Sequence, residues 1–157
     1  MVFNNKQKCI LDGTAILKLD TETINKEKCI KFLGLLIDDQ LQWTHHLQHC
    51  KSKIASSLYA INSVKHILFR PHLKSLYYAL VHPYIDYGIL LWRSALKRHT
   101  RPLVTLQKKA VRIINGAEYN AHTGPLFKSS KILTLEDMYN MHNYTHVCTN
   151  ILKVLSH

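Results

Sequence analysis

A cluster of basic residues is the feature of this sequence that points most directly to a chemical role. The cations recur over a short stretch, at Lys97, Arg98, Arg101, Lys108, Lys109 and Arg112. Lysine and arginine at such spacings can contact successive phosphates of a nucleic acid, which gives binding that ignores base sequence and weakens with salt. Lys51, Lys53 and Lys65 are further candidates for the same surface.

The overall charge agrees with a polyanionic partner. The chain has 157 residues, with 21 Lys and Arg against 10 Asp and Glu, which gives a formal charge of +11. A charge of this size favours association with nucleic acid. The alternative is a basic surface that serves solubility alone, because net charge by itself indicates association and not a specific site.

The basic stretch is predicted to lie on a helix. Thr100 is the expected N-cap, Pro102 falls in the first turn, and Gly116 is a suitable C-terminal stop. The apolar side of this helix is expected to consist of Leu103, Leu106, Ala110, Ile113 and Ile114. The cations Lys108, Lys109 and Arg112 then occupy the other side, where they are free to meet a partner.

Other helices are predicted on both sides of this one. Apolar residues recur every three or four positions from His45 to Leu68, and Arg70-Pro71 separates this helix from a second one that runs to Pro83. Pro83 is expected to kink or stop this second helix. The segment 84–92 is densely apolar, and 117–132 is expected to be irregular or briefly helical. Thr134 caps a last helix that runs towards Leu155.

The first forty residues are predicted to form a small sheet. Asp12-Gly13 indicates a hairpin, and 29–37 is expected to be one strand that is buried on both faces. Gly34 within it marks either a bulge or a close approach of another backbone, such as a nucleic acid. Asp38-Asp39 forms a turn, and Thr44 is the expected N-cap of the helix that follows. The fold class is therefore α+β, mostly α, with a small antiparallel sheet followed by a bundle of about four helices.

Several short motifs, in this order and spacing, resemble one protein family. They are Lys31-Phe32-Leu33-Gly34, Leu41-x-Trp43, His46, His82-Pro83-Tyr84, Tyr87-Gly88, Trp92 and the run from Leu106 to Arg112. Together they resemble the region that follows the catalytic palm in reverse transcriptases of jockey-like non-LTR retrotransposons. The resemblance covers nearly the whole chain and is best over residues 28–140.

The resemblance implies a division of the chain and a role for each part. Residues 1–42 would be the end of the palm, with a strand similar to the primer grip, so Lys31 and Gly34 join the expected nucleic-acid site. Residues 43–157 would be the thumb and connection, a helical bundle that cradles a template–primer duplex. The partners implied are an RNA–DNA or DNA duplex and an upstream palm and fingers domain that this chain does not contain.

No catalytic residue is predicted. The family's catalytic hairpin lies before the part that this chain resembles, and a two-metal site needs a further carboxylate beside Asp38 and Asp39. No cofactor is expected here, and Mg²⁺ only in a complete polymerase. The predicted function is a non-catalytic C-terminal fragment of an RNA-directed DNA polymerase that grips duplex. The alternatives are a helical protein-interaction domain and a decayed transposon remnant without activity.

Two further groups of residues have competing interpretations. His45, His49 and Cys50, and separately His142, His146 and Cys148, could supply zinc ligands, but with eleven histidines ordinary polar or capping roles are favoured. The aromatic residues Tyr77, Tyr78, Tyr84, Tyr87 and Trp92 could stack on bases, but their spacing favours the core.

The environment of the protein is predicted from three negative features. No apolar run approaches the length of about 20 residues that a membrane helix needs, so no membrane partner is expected. The first residues show no secretory pattern, and the four cysteines have no CxxC spacing and are expected to be buried thiols. The predicted location is intracellular, with nucleus and cytoplasm left unresolved.

Overall fold

The computed structural model describes residues 17–19, 22–24, 27–93, 95 and 97–155, so the predicted Asp12-Gly13 hairpin lies outside the described residues. The first described elements are two antiparallel strand pairs, β1 (Leu17–Leu19) with β2 (Glu22–Ile24) and β3 (Cys29–Phe32) with β4 (Leu35–Asp38). The helices are α1 (Thr44–Val64), α2 (Arg70–Leu80), α3 (His82–Asp86), α4 (Ile89–Trp92), α5 (Lys97–Asn115), α6 (Thr123–Ser130) and α7 (Leu135–Leu155). The predicted class, mostly helical α+β, is confirmed.

The segment predicted as one buried strand is a β-hairpin. The chain reverses at Leu33 and Gly34, whose φ angles of 47° and 83° are both positive, as a two-residue hairpin turn of the I′ type requires. The prediction of burial on both faces was wrong here, since Phe32 is 58% exposed and Leu33 is 73% exposed. Gly34 therefore supplies a turn conformation and not a bulge.

The carboxylate of Asp38 organises the entry to α1. It accepts hydrogen bonds from the backbone N–H groups of Gln42, at 2.8 Å, and Trp43, at 2.7 Å. Helix α1 begins at Thr44, with Trp43 in the left-handed region and no side-chain cap, so Thr44 is not the N-cap. Asp38 satisfies backbone donors just before the helix, which leaves Thr44 no capping role.

The core lies between α1, α2 and α5. The buried side of α1 consists of His46, Leu47, Cys50, Ile54, Leu58 and Ile61. This helix packs against α5, and the two largest fully buried side chains of the core are Trp92 and Tyr77. The core interpretation is therefore confirmed for these two aromatic residues, whereas Tyr78 is 40% exposed and Tyr87 is 53% exposed.

The short helices α3 and α4 join the hairpin to the bundle. Pro83 lies near the start of α3, and α2 ends at Leu80, so the prediction that Pro83 terminates the second helix is confirmed. At Gly88 a Cβ would lie 2.9 Å from a methyl carbon of Leu35, which faces the core from β4. Gly88, with a φ of 68°, therefore permits both the left-handed turn and the close contact with the hairpin.

Helix α7 begins with the predicted N-cap. The Thr134 hydroxyl oxygen accepts from the Asp137 backbone N–H at 3.1 Å, and the Asp137 carboxylate accepts from the Thr134 N–H at 3.3 Å. Leu135 and Met138 are buried, whereas Tyr144 is 70% exposed, so α7 is attached mainly through its first turns. No helix in the described part of the chain combines the length and the apolar character needed to cross a bilayer.

Candidate nucleic-acid interface

Helix α5 begins earlier than predicted. It starts at Lys97, and Thr100 lies within it, buried, with its hydroxyl donating to the Lys97 carbonyl at 3.2 Å. Thr100 is therefore not the N-cap, and Pro102 lies inside the helix instead of in its first turn. The earlier start adds Lys97 and Arg98 to the helix that carries Arg101 and the later cations.

The two sides of α5 differ completely in composition. The buried side consists of Thr100, Leu103, Gln107, Ala110, Val111 and Ile114. At about 100° per residue, the six cations fall within an arc of roughly 120° on the opposite side. Hereafter this arc is the basic face, and its members are Lys97, Arg98, Arg101, Lys108, Lys109 and Arg112.

The basic face is accessible over most of its length. Arg112 is half-buried, and the other five cations are exposed. The distance from Lys97 to Arg112 along the helix is roughly 22 Å at about 1.5 Å per residue. This length corresponds to roughly six base-pair steps at about 3.4 Å each, so the face is long enough to contact several phosphates.

No carboxylate in the described residues neutralises the basic face. The ion pairs of this part of the chain are Arg93 with Glu136 and His142 with Asp86, and neither includes a residue of the face. Arg112 donates from Nε to the Ala121 carbonyl at 3.0 Å, which fixes its position without cancelling its charge. The arrangement therefore presents uncompensated positive charge on a rigid helix.

The other two residues of the predicted site lie on the hairpin. Lys31 is exposed on β3, opposite Leu36 of β4, and Gly34 is in the turn. The hydroxyl of Tyr87 donates to the Leu33 carbonyl at 2.5 Å, which fixes the hairpin tip against the start of α4. Lys31 and Gly34 therefore share a hairpin, while the six cations share α5.

Comparisons with known proteins identify a common group of relatives. In Drosophila melanogaster, the probable RNA-directed DNA polymerase from transposon X-element is 25% identical over 116 residues, 72% of this chain and 13% of that protein. The corresponding values for transposon BS are 24% over 139 residues, 86% and 15%, and for mobile element jockey 25% over 125 residues, 77% and 14%. This chain resembles a region of the jockey-like RNA-directed DNA polymerases.

The resemblance covers a small part of each relative. The chain spans only 13–15% of the length of these curated polymerases. No family model matches the chain, and no solved structure matches it. The relation to jockey-like polymerases therefore rests on the sequences of the three relatives.

Lys51 and Lys53 cannot both extend the basic face. Lys51 and Lys53 are both exposed on α1, but residues two positions apart project from opposite sides of a helix. Lys65 follows the end of α1 and lines a cleft that it shares with Arg112 and Arg70. Sequence reasoning missed Arg70, since only the fold brings it near Arg112.

The histidines and cysteines have specific partners. The sulfur of Cys50 lies 3.5 Å from Nε2 of His46, and His142 contacts Asp86 at 2.7 Å. Burial raises the pKa of the Cys50 thiol to about 11, which keeps it protonated. Among the residues that the structure describes, no three His, Cys, Asp or Glu side chains come close enough to hold a metal ion. The buried-thiol prediction holds for Cys50 and is wrong for the exposed Cys148.

Proposed function

We propose that this chain is the end of the palm together with the thumb and connection region of a jockey-like reverse transcriptase, and that its basic face holds the template–primer duplex. The observation that carries the proposal is the segregation of α5 into a buried side and a side of six cations without carboxylate partners in the described residues. Such a surface binds the phosphates of an RNA–DNA or DNA duplex and does not read base sequence.

Bond formation would take place outside this chain. In the proposed arrangement Asp38 and Asp39 are turn residues, and the Asp38 carboxylate already accepts two backbone hydrogen bonds. Mg²⁺ would be held by the palm of the complete polymerase. Residues 1–42 would complete that palm, residues 43–157 would form the thumb and connection, and the hairpin with Lys31 and Gly34 would lie against the primer.

An upstream palm and fingers domain is the proposed protein partner. Two observations support it. In the described part of the chain, β3 and β4 pair only with each other, which leaves strand edges without hydrogen-bond partners. The tip of that hairpin also exposes Phe32 and Leu33, apolar side chains that a neighbouring domain would cover. The proposed location is intracellular, where such polymerases meet their nucleic acid.

The test is titration of labelled RNA–DNA duplex at about 50 mM and about 200 mM salt. Contact with six phosphates predicts that the logarithm of the affinity falls with the logarithm of salt concentration with a slope of about −5. The variant Arg101→Glu/Lys108→Glu/Lys109→Glu is expected to lose at least about tenfold in affinity, since each change removes one phosphate contact and adds repulsion. Arg112 is excluded from this variant because it also holds the Ala121 carbonyl.

A matched control distinguishes binding by the basic face from a general effect of net charge. Lys128→Glu/Lys131→Glu lies on and after α6, so it changes charge without altering α5. Compared with Lys108→Glu/Lys109→Glu, which has the same charge change, it is expected to retain most of the duplex affinity. Equal losses in the two double variants would refute a localised face, and a salt slope near zero would favour the protein-interaction alternative.

A further inference from the structure

A cleft of about 680 Å³ lies where the end of α1, the start of α2 and the end of α5 meet. Its charged side chains all carry the same sign. Lys65, Arg70 and Arg112 converge on it from three different helices or their ends, together with His66, and no Asp or Glu among the described residues lines it. The cleft is open to solvent, since His66 and Arg70 are exposed. Its composition suits an anionic ligand.

The two arginines of the cleft are held by neutral groups. The Arg70 guanidinium donates to the hydroxyls of Ser129, at 3.2 Å, and Ser130, at 3.1 Å. Ser130 is buried and also accepts from the Asn115 side chain at 2.8 Å, so this contact is anchored to α5. Because hydroxyl partners orient a guanidinium without neutralising it, Arg70 remains able to bind a phosphate.

Charge compensation at helix ends explains part of the cluster but not all of it. Lys65 follows the end of α1, and Arg112 is in the last turn of α5, where a cation interacts favourably with the helix dipole. Arg70 is the first residue of α2, where the same dipole disfavours a cation. The dipole does not account for Arg70, whose hydrogen bonds to Ser129 and Ser130 attach α2 to α6 and leave its charge available for an anionic ligand.

One exposed aromatic ring lines the cleft, and two more are close in sequence to residues that line it. Tyr119 lines it and is 88% exposed, with its ring centroid 6.0 Å from the Arg112 guanidinium carbon. Phe69, directly before Arg70, is 77% exposed, and Tyr59 on α1 is 78% exposed. A positively charged groove with accessible rings is the usual composition of a single-strand site, because unpaired bases stack on aromatic side chains.

We propose that this cleft binds single-stranded nucleic acid, with a phosphodiester on Lys65 and Arg70 and an unpaired base stacked on Tyr119. This site does not depend on the duplex-binding role of the basic face, with which it shares only Arg112. In a stacked complex the Tyr119 ring would lie between the base and the half-buried guanidinium of Arg112. A duplex, whose bases are paired and stacked on each other, would not gain this contact.

The test measures the anisotropy of a labelled oligothymidylate and of a labelled duplex with the same protein. Lys65→Gln/Arg70→Gln is expected to weaken single-strand binding by at least about tenfold and duplex binding by less than about threefold. The control Lys97→Gln/Arg101→Gln removes the same amount of charge from the basic face. It is expected to weaken duplex binding more than single-strand binding. Equal losses for both ligands in the cleft variant would overturn the proposal.

Stacking is tested separately, with variants that leave the charges unchanged. Tyr119→Ala is expected to weaken single-strand binding by at least about fivefold, and Tyr119→Phe to retain it. Because the Tyr119 side chain is 88% exposed, neither change is expected to affect folding. Unchanged binding in Tyr119→Ala would show that the base does not stack there and would refute the proposal.

Two further measurements identify the ligand. Photocrosslinking with 5-iododeoxyuridine in the oligonucleotide is expected to modify Tyr119, and modification confined to α5 would overturn the proposal. Inorganic phosphate is expected to compete only weakly. If phosphate alone displaces the oligonucleotide and Tyr119→Ala makes no difference, the cleft is a site for small anions and the proposal fails. If the unmodified protein binds the oligonucleotide but not the duplex, the proposed function of the basic face is refuted and the single-strand site is not.

Discussion

Helices α5 and α7 are similar in length, with 19 and 21 residues, but they differ in how their charges are used. On α7, Glu136 pairs with Arg93 and His142 contacts Asp86, so these groups attach the helix to the bundle. On α5 the buried side attaches the helix, and its six cations have no carboxylate partner in the described residues.

The difference indicates what each set of charges contributes. Partly exposed ion pairs such as those of α7 contribute modestly to stability. Five of the cations of α5 repel one another along one side and have no carboxylate partner in the described residues, so we expect them to act on a binding partner. Arg112 also bonds the Ala121 carbonyl and lies at the favourable end of the helix dipole. Apolar burial and internal hydrogen bonds should therefore dominate stability, and the basic face should dominate binding.

The largest expected effect is at Gln107, the side chain that joins α5 to α7. It is 1% exposed, and its amide donates to the Tyr77 hydroxyl at 3.0 Å and to the Leu133 carbonyl at 2.9 Å. Its carbonyl oxygen accepts from the Leu135 N–H at 3.0 Å. Gln107→Leu leaves the buried Tyr77 hydroxyl and Leu135 N–H unsatisfied and should lower the free energy of unfolding by about 2–4 kcal/mol in urea denaturation.

Gln48→Leu is the matched control for this prediction. Gln48 is exposed on α1, so the same chemical change should alter the free energy of unfolding by less than about 0.5 kcal/mol. If Gln107→Leu were equally neutral, the polar junction between the two helices would not be a source of stability.

The second prediction concerns His46, which is buried on α1 beside Cys50 and Trp43. Burial first, and then the charge of His49, lower the pKa of His46 below its ordinary value of about 6.5. Below that value the unfolded chain binds a proton that the folded chain disfavours, so the free energy of unfolding falls as pH falls. The contribution of this one group cannot exceed about 1.4 kcal/mol per pH unit.

His46→Phe tests this contribution, because phenylalanine keeps a ring next to Trp43 but does not titrate. The measurement is urea denaturation between about pH 7 and about pH 5, the interval just around and below the ordinary histidine value. The stability of the variant should decline less steeply than that of the wild type. Identical slopes would show that other groups account for the acid sensitivity.

The third prediction concerns the ion pair of α7. The Arg93 side chain is 19% exposed and that of Glu136 is 61% exposed, so solvent screens much of their attraction. Glu136→Gln should lower the free energy of unfolding by about 0.5–1 kcal/mol, and high salt should reduce the difference. Glu118→Gln, at an exposed position outside the described ion pairs, serves as the control and should have no measurable effect. A salt-independent loss would mean that Glu136 acts through packing.

Local signals in the sequence were sufficient for much of the fold. The apolar period of α1, the termination at Pro83 and the Thr134 cap depend on neighbouring residues, so they could be predicted. The hairpin could not, because Leu33 adopts a positive φ that a leucine does not signal. The start of α5 was also missed. A threonine two residues before a proline favours an N-cap, but in the structure Thr100 is buried within the helix.

The candidate site shows the same limit. Cations on one helix can be assigned to one side from their spacing, so the basic face was predictable. The cleft was not, because Arg70 and Arg112 line one cleft only after α2 and α5 pack together. Tyr119 carries no local signal at all, and its position beside Arg112 follows from the turn after Gly116.

The smallest expected effect on stability is at the basic face, and it is the most direct test of the difference between α5 and α7. Lys108→Gln/Lys109→Gln should change the free energy of unfolding by less than about 0.5 kcal/mol, since both side chains are exposed and unpaired with carboxylates in the described residues. Salt should stabilise the wild type slightly more than the variant, because it screens repulsion that the variant has lost. Lys128→Gln/Lys131→Gln, measured alongside, should respond to salt like the wild type. A loss of more than about 1 kcal/mol in the first variant would show that these lysines stabilise the fold internally, and the contrast between α5 and α7 would then be wrong.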